Sequence, residues 1–188
     1  MNNKQLAPLS EATLRTNGAM LPPFPFMSRN ECEFLESYLT PNTTMLEWGS
    51  GYSTVRFSQQ VKKYFSIEHN KKWYEQIKPL LGENTTYTIA EGTKLSHRPA
   101  ASWGEIDNSL RMQQFFNYVH AIEQFKCSFD IIFVDGRARC ECAKVALPHI
   151  KNNGFLFIHN WNRPYYHIIL EKYQLVSEVR KMALLQPK

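Results

Sequence analysis

The stretch that most constrains the fold is Met45–Thr54, which reads MLEWGSGYST. Apolar residues surround the acid Glu47, and two glycines follow at positions 49 and 51. From Ser53 onward the apolar residues have helical spacing, so the stretch predicts a strand, a tight turn and the start of a helix. Glycine lets a backbone approach a ligand closely, and the first N–H groups of a helix can receive polar ligand groups. The sequence therefore predicts a ligand-binding turn formed by Gly49, Gly51 and Ser53.

Two further features indicate which ligand this turn binds. A dinucleotide fingerprint has a third glycine three residues after the second, and here that position is Thr54. The apolar run Tyr64–Ile67 ends in Glu68, an acid placed to accept hydrogen bonds from two ribose hydroxyls. The pattern favours a nucleoside without a pyrophosphate and argues against a nicotinamide-dependent dehydrogenase.

Composition places the chain among soluble globular proteins. Its 188 residues correspond to one domain, and 43% hydrophobic with 21% charged residues is ordinary for such a domain. No apolar run approaches the roughly 18 residues of a membrane span, and the polar start lacks the pattern of a secretory signal, so we expect a cytoplasmic protein. The four cysteines form no CxxC pair, which argues against a zinc site or a disulfide framework. A net charge of +5 permits an anionic substrate or nucleic acid.

The strand and helix patterns predict an α/β domain with a mostly parallel sheet. The proline-rich residues 1–27 are interpreted as an extended N-terminal arm, and Ser28 with Glu31 forms a capping box that begins the first helix of the domain, 28–188. After the fourth strand we predict a helix to about Asn152, ended by Gly154. Predicted strands lie at about Thr43–Trp48, Tyr64–Ile67, Thr85–Ile89, Phe129–Val134 and Phe155–Ile158, followed by a hairpin of Leu175–Val179 and Met182–Leu185.

Two polar residues follow the most buried strand patterns. The uninterrupted apolar run before Asp135 indicates a central parallel strand, buried on both faces. His159 follows the next strand in the chain. Ligands of open α/β sheets bind at the carboxyl ends of the strands, so we expect Asp135 and His159 beside the predicted turn.

Glu47, Gly49, Gly51 and Glu68 together resemble the class I S-adenosylmethionine-dependent methyltransferases, whose first motif reads acid-x-Gly-x-Gly and whose second strand ends in an acid. The resemblance covers residues 28–188. It implies a Rossmann-like seven-stranded sheet with helices on both faces and a C-terminal antiparallel hairpin. It also implies S-adenosylmethionine (SAM) as the cofactor, held by these four residues with Ser53, and with Glu91 near the adenine.

The resemblance further implies roles for residues around the crevice. Asp135 and His159 would face the transferable methyl group as the catalytic pair, one of them removing the acceptor's proton. Three arginines would bind a carbohydrate or another small polar acceptor carrying the hydroxyl to be methylated: Arg137, Arg139 and Arg163. One branch of the family holds magnesium with an acid after strand four and an Asp-Asn pair after strand five. Here the pair reads His159-Asn160, so a metal is not favoured; Asp135 and Asn160 would be its ligands.

Two other functions stay open at this stage. An RNA or DNA methyltransferase would suit the positive charge, but amino-directed enzymes of that kind carry an Asn/Asp-Pro-Pro-aromatic run after strand four, where this chain has Asp135-Gly136-Arg137-Ala138. A domain that binds the cofactor without catalysis and serves as a partner surface is the second alternative. The acid and glycine motif residues favour an active enzyme over this reading.

Overall fold

The computed structural model describes residues 25–93 and 108–188, together with two short strands at Arg15–Thr16 and Ala19–Met20. These two strands pair with each other in an antiparallel ribbon, separate from the main sheet. Most of the predicted N-terminal arm lies outside the described residues.

The rest of the described chain alternates strands and helices. The strands of the main sheet, β1 to β7 in chain order, are Thr44–Trp48, Lys63–Glu68, Thr85–Ile89, Phe129–Val134, Ile150–His159, Tyr173–Val179 and Met182–Pro187. The α-helices, α1 to α5, are Arg29–Glu36, Tyr52–Ser58, Lys71–Ile77, Asn108–His120 and Arg139–Ala146. Short 3-10 helices span Lys78–Leu80, Ala121–Gln124, Leu147–His149 and Pro164–Glu171.

The seven strands form one sheet in the order β3-β2-β1-β4-β5-β7-β6. Pairing is parallel from β3 to β5, and β7 runs antiparallel to both of its neighbours. The predicted Rossmann-like methyltransferase fold, with its C-terminal antiparallel hairpin, is confirmed. Chain order reverses between β1 and β4, which makes the carboxyl ends of these two strands the switch point where ligands of such sheets bind.

Hydrophobic side chains alternate between the two faces of the central strands. On β1, Met45 packs with residues of α1 and α2, including Leu35 and Phe57. Its neighbour Leu46 faces the opposite side and joins a larger cluster with residues of α4 and α5. A core on each side explains why β4 is apolar without interruption, because both of its faces are buried.

Two sequence predictions about helix boundaries have different outcomes. The capping box of α1 is confirmed, since the Ser28 side chain accepts from Glu31 N and the Glu31 side chain accepts from Ser28 N. The prediction that the helix after β4 runs to about Asn152 is wrong. Helix α5 ends at Ala146, and Gly154 lies inside β5, where an added Cβ would come within 2.9 Å of the Asp130 and Phe129 carbonyl oxygens.

Backbone hydrogen bonds hold the β1 and β4 loops together at the switch point. Asp135 N donates to Trp48 O at 2.9 Å. Gly49 adopts φ +88°, and a Cβ added there would lie 2.5 Å from the Cα of Gly136. The two loops approach this closely because neither glycine carries a side chain.

Replacing Gly49 tests this backbone contact. We expect Gly49→Ala to destabilise the fold by at least about 2 kcal/mol, because alanine is strained at positive φ and its methyl group would overlap Gly136. Chemical denaturation measures the change.

Gly51→Ala is the matched control for Gly49→Ala. Gly51 has an extended φ of 176°, and an added Cβ would meet its nearest neighbours at 3.8 Å. We expect its free energy of unfolding to stay within about 0.5 kcal/mol of the wild type. Equal losses in the two variants would contradict the proposed packing of Gly49 on Gly136.

Within the described residues, none of the helices combines the length and the apolar character that crossing a membrane requires.

Candidate active site

A cavity of about 490 Å³ opens at the carboxyl edge of the sheet, above the switch point. Its volume lies in the range of small-molecule sites. Residues from the loops after β1, β2, β4 and β5 and from the segment before α1 line it: Pro25, Phe26, Gly49, Ser50, Gly51, Tyr52, Ser53, Glu68, His69, Asn70, Trp73, Asp135, Gly136, Arg137, Arg139, His159 and Asn160.

Glu68 holds one end of this cavity together. Its Oε2 accepts from Ser50 N at 2.9 Å and from Ser50 Oγ at 3.0 Å, and its Oε1 accepts from Asn70 N at 2.7 Å. His69 Nδ1 lies 3.0 Å from Oε1. The acid at the tip of β2 therefore joins the turn after β1 to the start of α3.

These contacts also fix the charge of Glu68. The residue is only 2% exposed, and burial alone would raise its pKa. Contacts with His69, Asn70 and Ser50 outweigh burial, and the pKa of Glu68 is lowered below its ordinary value. Glu68 is therefore an ionised hydrogen-bond acceptor at neutral pH.

Trp73 supports the same end of the cavity from α3. Its indole Nε1 donates to Ser50 O at 2.6 Å, and its ring meets Tyr52 edge-to-face at 6.2 Å between centroids. The Ser50 hydroxyl also lies 2.5 Å from the Tyr87 hydroxyl of β3. The turn after β1 is thus held on both sides by groups of β2, β3 and α3.

Glu47 lies beneath the turn and does not line the cavity. It is fully buried, and it accepts from Ser53 Oγ at 2.5 Å, Thr54 Oγ1 at 2.5 Å and Tyr64 Oη at 2.9 Å. Burial raises the pKa of Glu47 to about 8, although the hydroxyl bonds oppose that rise. The structure places this predicted cofactor ligand as a support of the α2 start, with Ser53 between it and the cavity.

Asp135 and His159 meet at the other end of the cavity. Asp135 follows β4 and His159 is the last residue of β5, and His159 Nδ1 lies 2.9 Å from Asp135 Oδ1. The side chain of Asp135 is 21% exposed, whereas that of His159 is 7% exposed. The sequence prediction that these two residues lie side by side is therefore met, with Asp135 as the more accessible of the pair.

Arg139 holds the loops after β4 and β5 together. Its Nη2 lies 3.0 Å from Asp135 Oδ1, its Nε donates to Gly136 O at 3.0 Å, and its Nη1 donates to His159 O. The residue is 8% exposed. Although it lines the cavity, its guanidinium is engaged with the protein, and it supports the Asp135–His159 pair.

The other predicted site residues lie at different distances from this pair. Arg137 and Asn160 line the cavity, and Asn160 adopts a left-handed φ of 60°, which asparagine tolerates better than most residues. Arg163 is outside the cavity, where its Nη1 donates to the Tyr165 hydroxyl at 3.2 Å. Glu91 is exposed after β3 and does not line the cavity.

Glu31 is a residue near the site that sequence reasoning assigned only to a helix cap. Its Oε1 lies 3.6 Å from His159 Nε2, on the side of the imidazole opposite Asp135. The capping-box signal indicated a helix start. It did not indicate that this helix start packs against the end of β5.

No cluster of three or more His, Cys, Asp or Glu side chains suited to a metal ion occurs in the part of the chain that the structure describes. The oxygen ligands that the magnesium alternative would use are Asp135 and Asn160. In this structure Asp135 Oδ1 is engaged with His159 and Arg139.

Solved structures show which fold this is. A methyltransferase-like protein from Silicibacter pomeroyi matches with 24% identity and a TM-score of 0.69, covering 88% of this chain and 89% of its own. A proposed methyltransferase from Streptococcus mutans in complex with SAH has 10% identity and a TM-score of 0.55, covering 86% and 100%. A ribosomal-protein methylase from Lactobacillus delbrueckii has 10% identity and a TM-score of 0.55, covering 84% and 77%. Neither a protein-family model nor a curated protein matches the sequence. The chain therefore has the class I methyltransferase fold.

The buried Glu47 makes stability depend on pH in a direction that can be measured. Its pKa is about 8 in the folded protein against 4.5 as the ordinary value, so its contribution is fully present below pH 4.5 and is lost as pH rises toward 8. Between these limits we expect this group to lower the free energy of unfolding by about 1.4 kcal/mol per pH unit.

Glu47→Gln keeps the shape of the side chain but does not titrate. We expect its stability to depend less on pH than that of the wild type, so the variant gains relative stability between pH 5 and pH 8. Urea denaturation at several pH values in this window measures the difference. If the free energies of unfolding of the two proteins depended on pH in parallel, that result would contradict a raised pKa for Glu47.

Proposed function

We propose that this protein is a methyltransferase that uses SAM to methylate a hydroxyl of a carbohydrate or another small polar acceptor. One observation carries the proposal: an ionised acid at the tip of β2 and a carboxylate–imidazole pair after β4 and β5 lie at the two ends of one cavity. The first suits a ribose and the second suits an acceptor hydroxyl. The methyltransferase fold and a structural neighbour in complex with SAH support this choice of cofactor.

The residues around Glu68 fit a ribose. Its carboxylate already accepts from two backbone N–H groups, of Ser50 and Asn70, which fix its position. The other close groups are the Ser50 hydroxyl, which donates to Oε2, and the His69 ring, whose Nδ1 lies 3.0 Å from Oε1; both are on side chains that can turn away. A ribose diol would replace these two and keep the backbone donors. Binding would therefore not require the turn itself to change.

The turn after β1 leaves room beside Glu68. Gly51 lines the cavity, and an added Cβ there would point toward Trp73. Ser53 and the backbone of the turn offer polar groups to a ligand, and the Trp73 and Tyr52 rings supply an apolar wall. These residues would hold the nucleoside. When bound, SAM supplies an electrophilic methyl carbon on a sulfonium.

Asp135 is the group best placed to act on the acceptor. Its Oδ1 is engaged by His159 and Arg139, and none of the described residues donates to its Oδ2. Oδ2 can accept a hydrogen bond from an acceptor hydroxyl and aim its oxygen lone pair at the methyl group. The hydroxyl becomes strongly acidic as its oxygen gains the methyl group, so the Asp135 carboxylate can take the proton. His159 then orients Asp135 from the protein side.

The mouth of the cavity supports a polar acceptor. Arg137 is exposed there, and Asn160 lies beside the catalytic pair. A guanidinium and an amide suit the hydroxyls or carboxylate of a sugar better than an apolar substrate. Phe26, 80% exposed at the rim, offers an apolar surface on which the ring face of a sugar can pack.

The cofactor proposal is tested by binding of S-adenosylhomocysteine (SAH) to Glu68→Gln and Ser50→Ala. We expect Glu68→Gln to weaken SAH binding at least 10-fold, because ribose hydroxyls lose a charged acceptor. Ser50→Ala removes the side-chain donor that competes with the ribose, together with the contact to the Tyr87 hydroxyl, so we expect its SAH affinity to equal or exceed that of the wild type. Isothermal calorimetry measures both. Equal losses in the two variants would contradict a specific role of the Glu68 carboxylate in holding the ribose.

The catalytic proposal is tested by Asp135→Asn. We expect SAH affinity to stay within two-fold while turnover falls at least 100-fold, because an amide cannot take the acceptor's proton. Turnover is the conversion of SAM to SAH in the presence of a panel of methyl glycosides and catechol.

Asp130→Asn is the matched control for Asp135→Asn. Asp130 is near the start of β4, at the end of the strand opposite Asp135, where it pairs with Lys151 at 2.8 Å and accepts from Thr44 N. The turnover of Asp130→Asn should match that of the wild type. Unchanged turnover in Asp135→Asn would remove Asp135 from the mechanism.

A further inference from the structure

Glu31 is held more firmly than a helix cap requires. The capping box uses only Oε2, which accepts from Ser28 N and Ser28 Oγ, both at 2.7 Å. The second oxygen, Oε1, accepts from Lys181 N at 2.8 Å, in the turn between β6 and β7. Two separate parts of the chain therefore fix this carboxylate, which is 3% exposed.

The same contacts keep Glu31 charged. Burial would raise the pKa of Glu31, but the bonds from Ser28 and Lys181 and the nearby His159 outweigh it, and the pKa is lowered. Glu31 therefore presents a fixed negative charge to the end of β5.

His159 lies between this carboxylate and Asp135. Its Nδ1 is 2.9 Å from Asp135 Oδ1 and its Nε2 is 3.6 Å from Glu31 Oε1. Within the described residues, Nε2 is buried without a hydrogen-bond partner, and it faces the Glu31 carboxylate. An imidazole held by one neighbour can rotate about its Cβ–Cγ bond. An imidazole with an acid on each side has a fixed ring plane.

From this geometry we infer that Glu31 is a positioning residue of the active site, which fixes the His159 ring so that Asp135 keeps its orientation toward the acceptor. Glu31 need not touch the substrate to do this. Because Pro25 and Phe26 line the cavity and stand just before Ser28, the contact also ties the cavity rim to the catalytic pair. The expected effect on turnover rests on the proposed function, whereas the contact between Glu31 and His159 does not.

Glu31→Gln tests the inference, with Glu36→Gln as the matched control. Both acids are on α1, but Glu36 pairs with Arg56 at 2.6 Å and has no contact with His159 among the described residues. We expect Glu31→Gln to shift the imidazole ¹⁵N signals of His159, assigned with His159→Asn, and Glu36→Gln to leave them unchanged.

The kinetic test uses the same variants. We expect Glu31→Gln to lower kcat at least 10-fold, with KM for SAM and SAH affinity within two-fold of the wild type. The double variant Glu31→Gln/His159→Asn should be no slower than His159→Asn alone, because Glu31 acts through that ring. Glu36→Gln should keep wild-type kcat.

Several outcomes would overturn the inference. They are unchanged His159 signals in Glu31→Gln, equal kinetic losses in Glu31→Gln and Glu36→Gln, or additive losses in the double variant. Should Glu31→Gln fail to fold, Glu31→Asp withdraws the carboxylate by one methylene while keeping its charge, and it must shift the His159 signals too. Absence of SAH binding to the wild type would contradict the proposed function, and the ¹⁵N comparison would still decide whether Glu31 fixes His159.

Discussion

The contact between two glycine backbones at the switch point is the constraint on which the rest of the site depends. Gly49 and Gly136 bring the loops after β1 and β4 together, with a left-handed φ at Gly49. Because the loops meet there, the Ser50 turn faces Glu68 on one side and Asp135 faces the same cavity on the other. Cofactor and acceptor groups can therefore lie side by side without a hinge or a second domain.

Ionisable side chains stabilise the two ends of the cavity through different hydrogen-bond and ion-pair partners. Glu68 is a buried acid whose hydrogen bonds keep it ionised, while Glu47, which accepts from Ser53 and Thr54 beneath the same turn, is a buried acid whose pKa rises to about 8. Backbone donors and a neighbouring imidazole account for the first case; hydroxyl donors alone do not offset burial in the second. At the other end, Arg139 and His159 both approach Asp135, and Glu31 completes the arrangement from α1.

The sequence was sufficient to place the strands along the chain, because the central strands are largely apolar runs, and on β2 and β4 the run leads into a cavity-lining acid, Glu68 or Asp135. It also predicted that Asp135 and His159 would be neighbours, from the rule that parallel strands present their carboxyl ends at one edge. It failed at the start of β5: Asn152 and Gly154 are poor strand formers, yet both lie within β5, at the register shift between the Phe129–Ile150 and Ile131–Phe155 pairs. The contacts that make Glu31 and Arg139 supports were missed because they reach His159, which is distant in sequence from both.

The central claim is that a nucleoside lies across this sheet edge, held through its ribose by Glu68 and with its reactive end toward Asp135. A crystal structure of the protein with SAH tests it most directly. The account predicts both ribose hydroxyls within hydrogen-bond distance of the Glu68 carboxylate, the Ser50 hydroxyl turned away, and the SAH sulfur facing Asp135. SAH bound elsewhere, or bound here with its ribose away from Glu68, would contradict it.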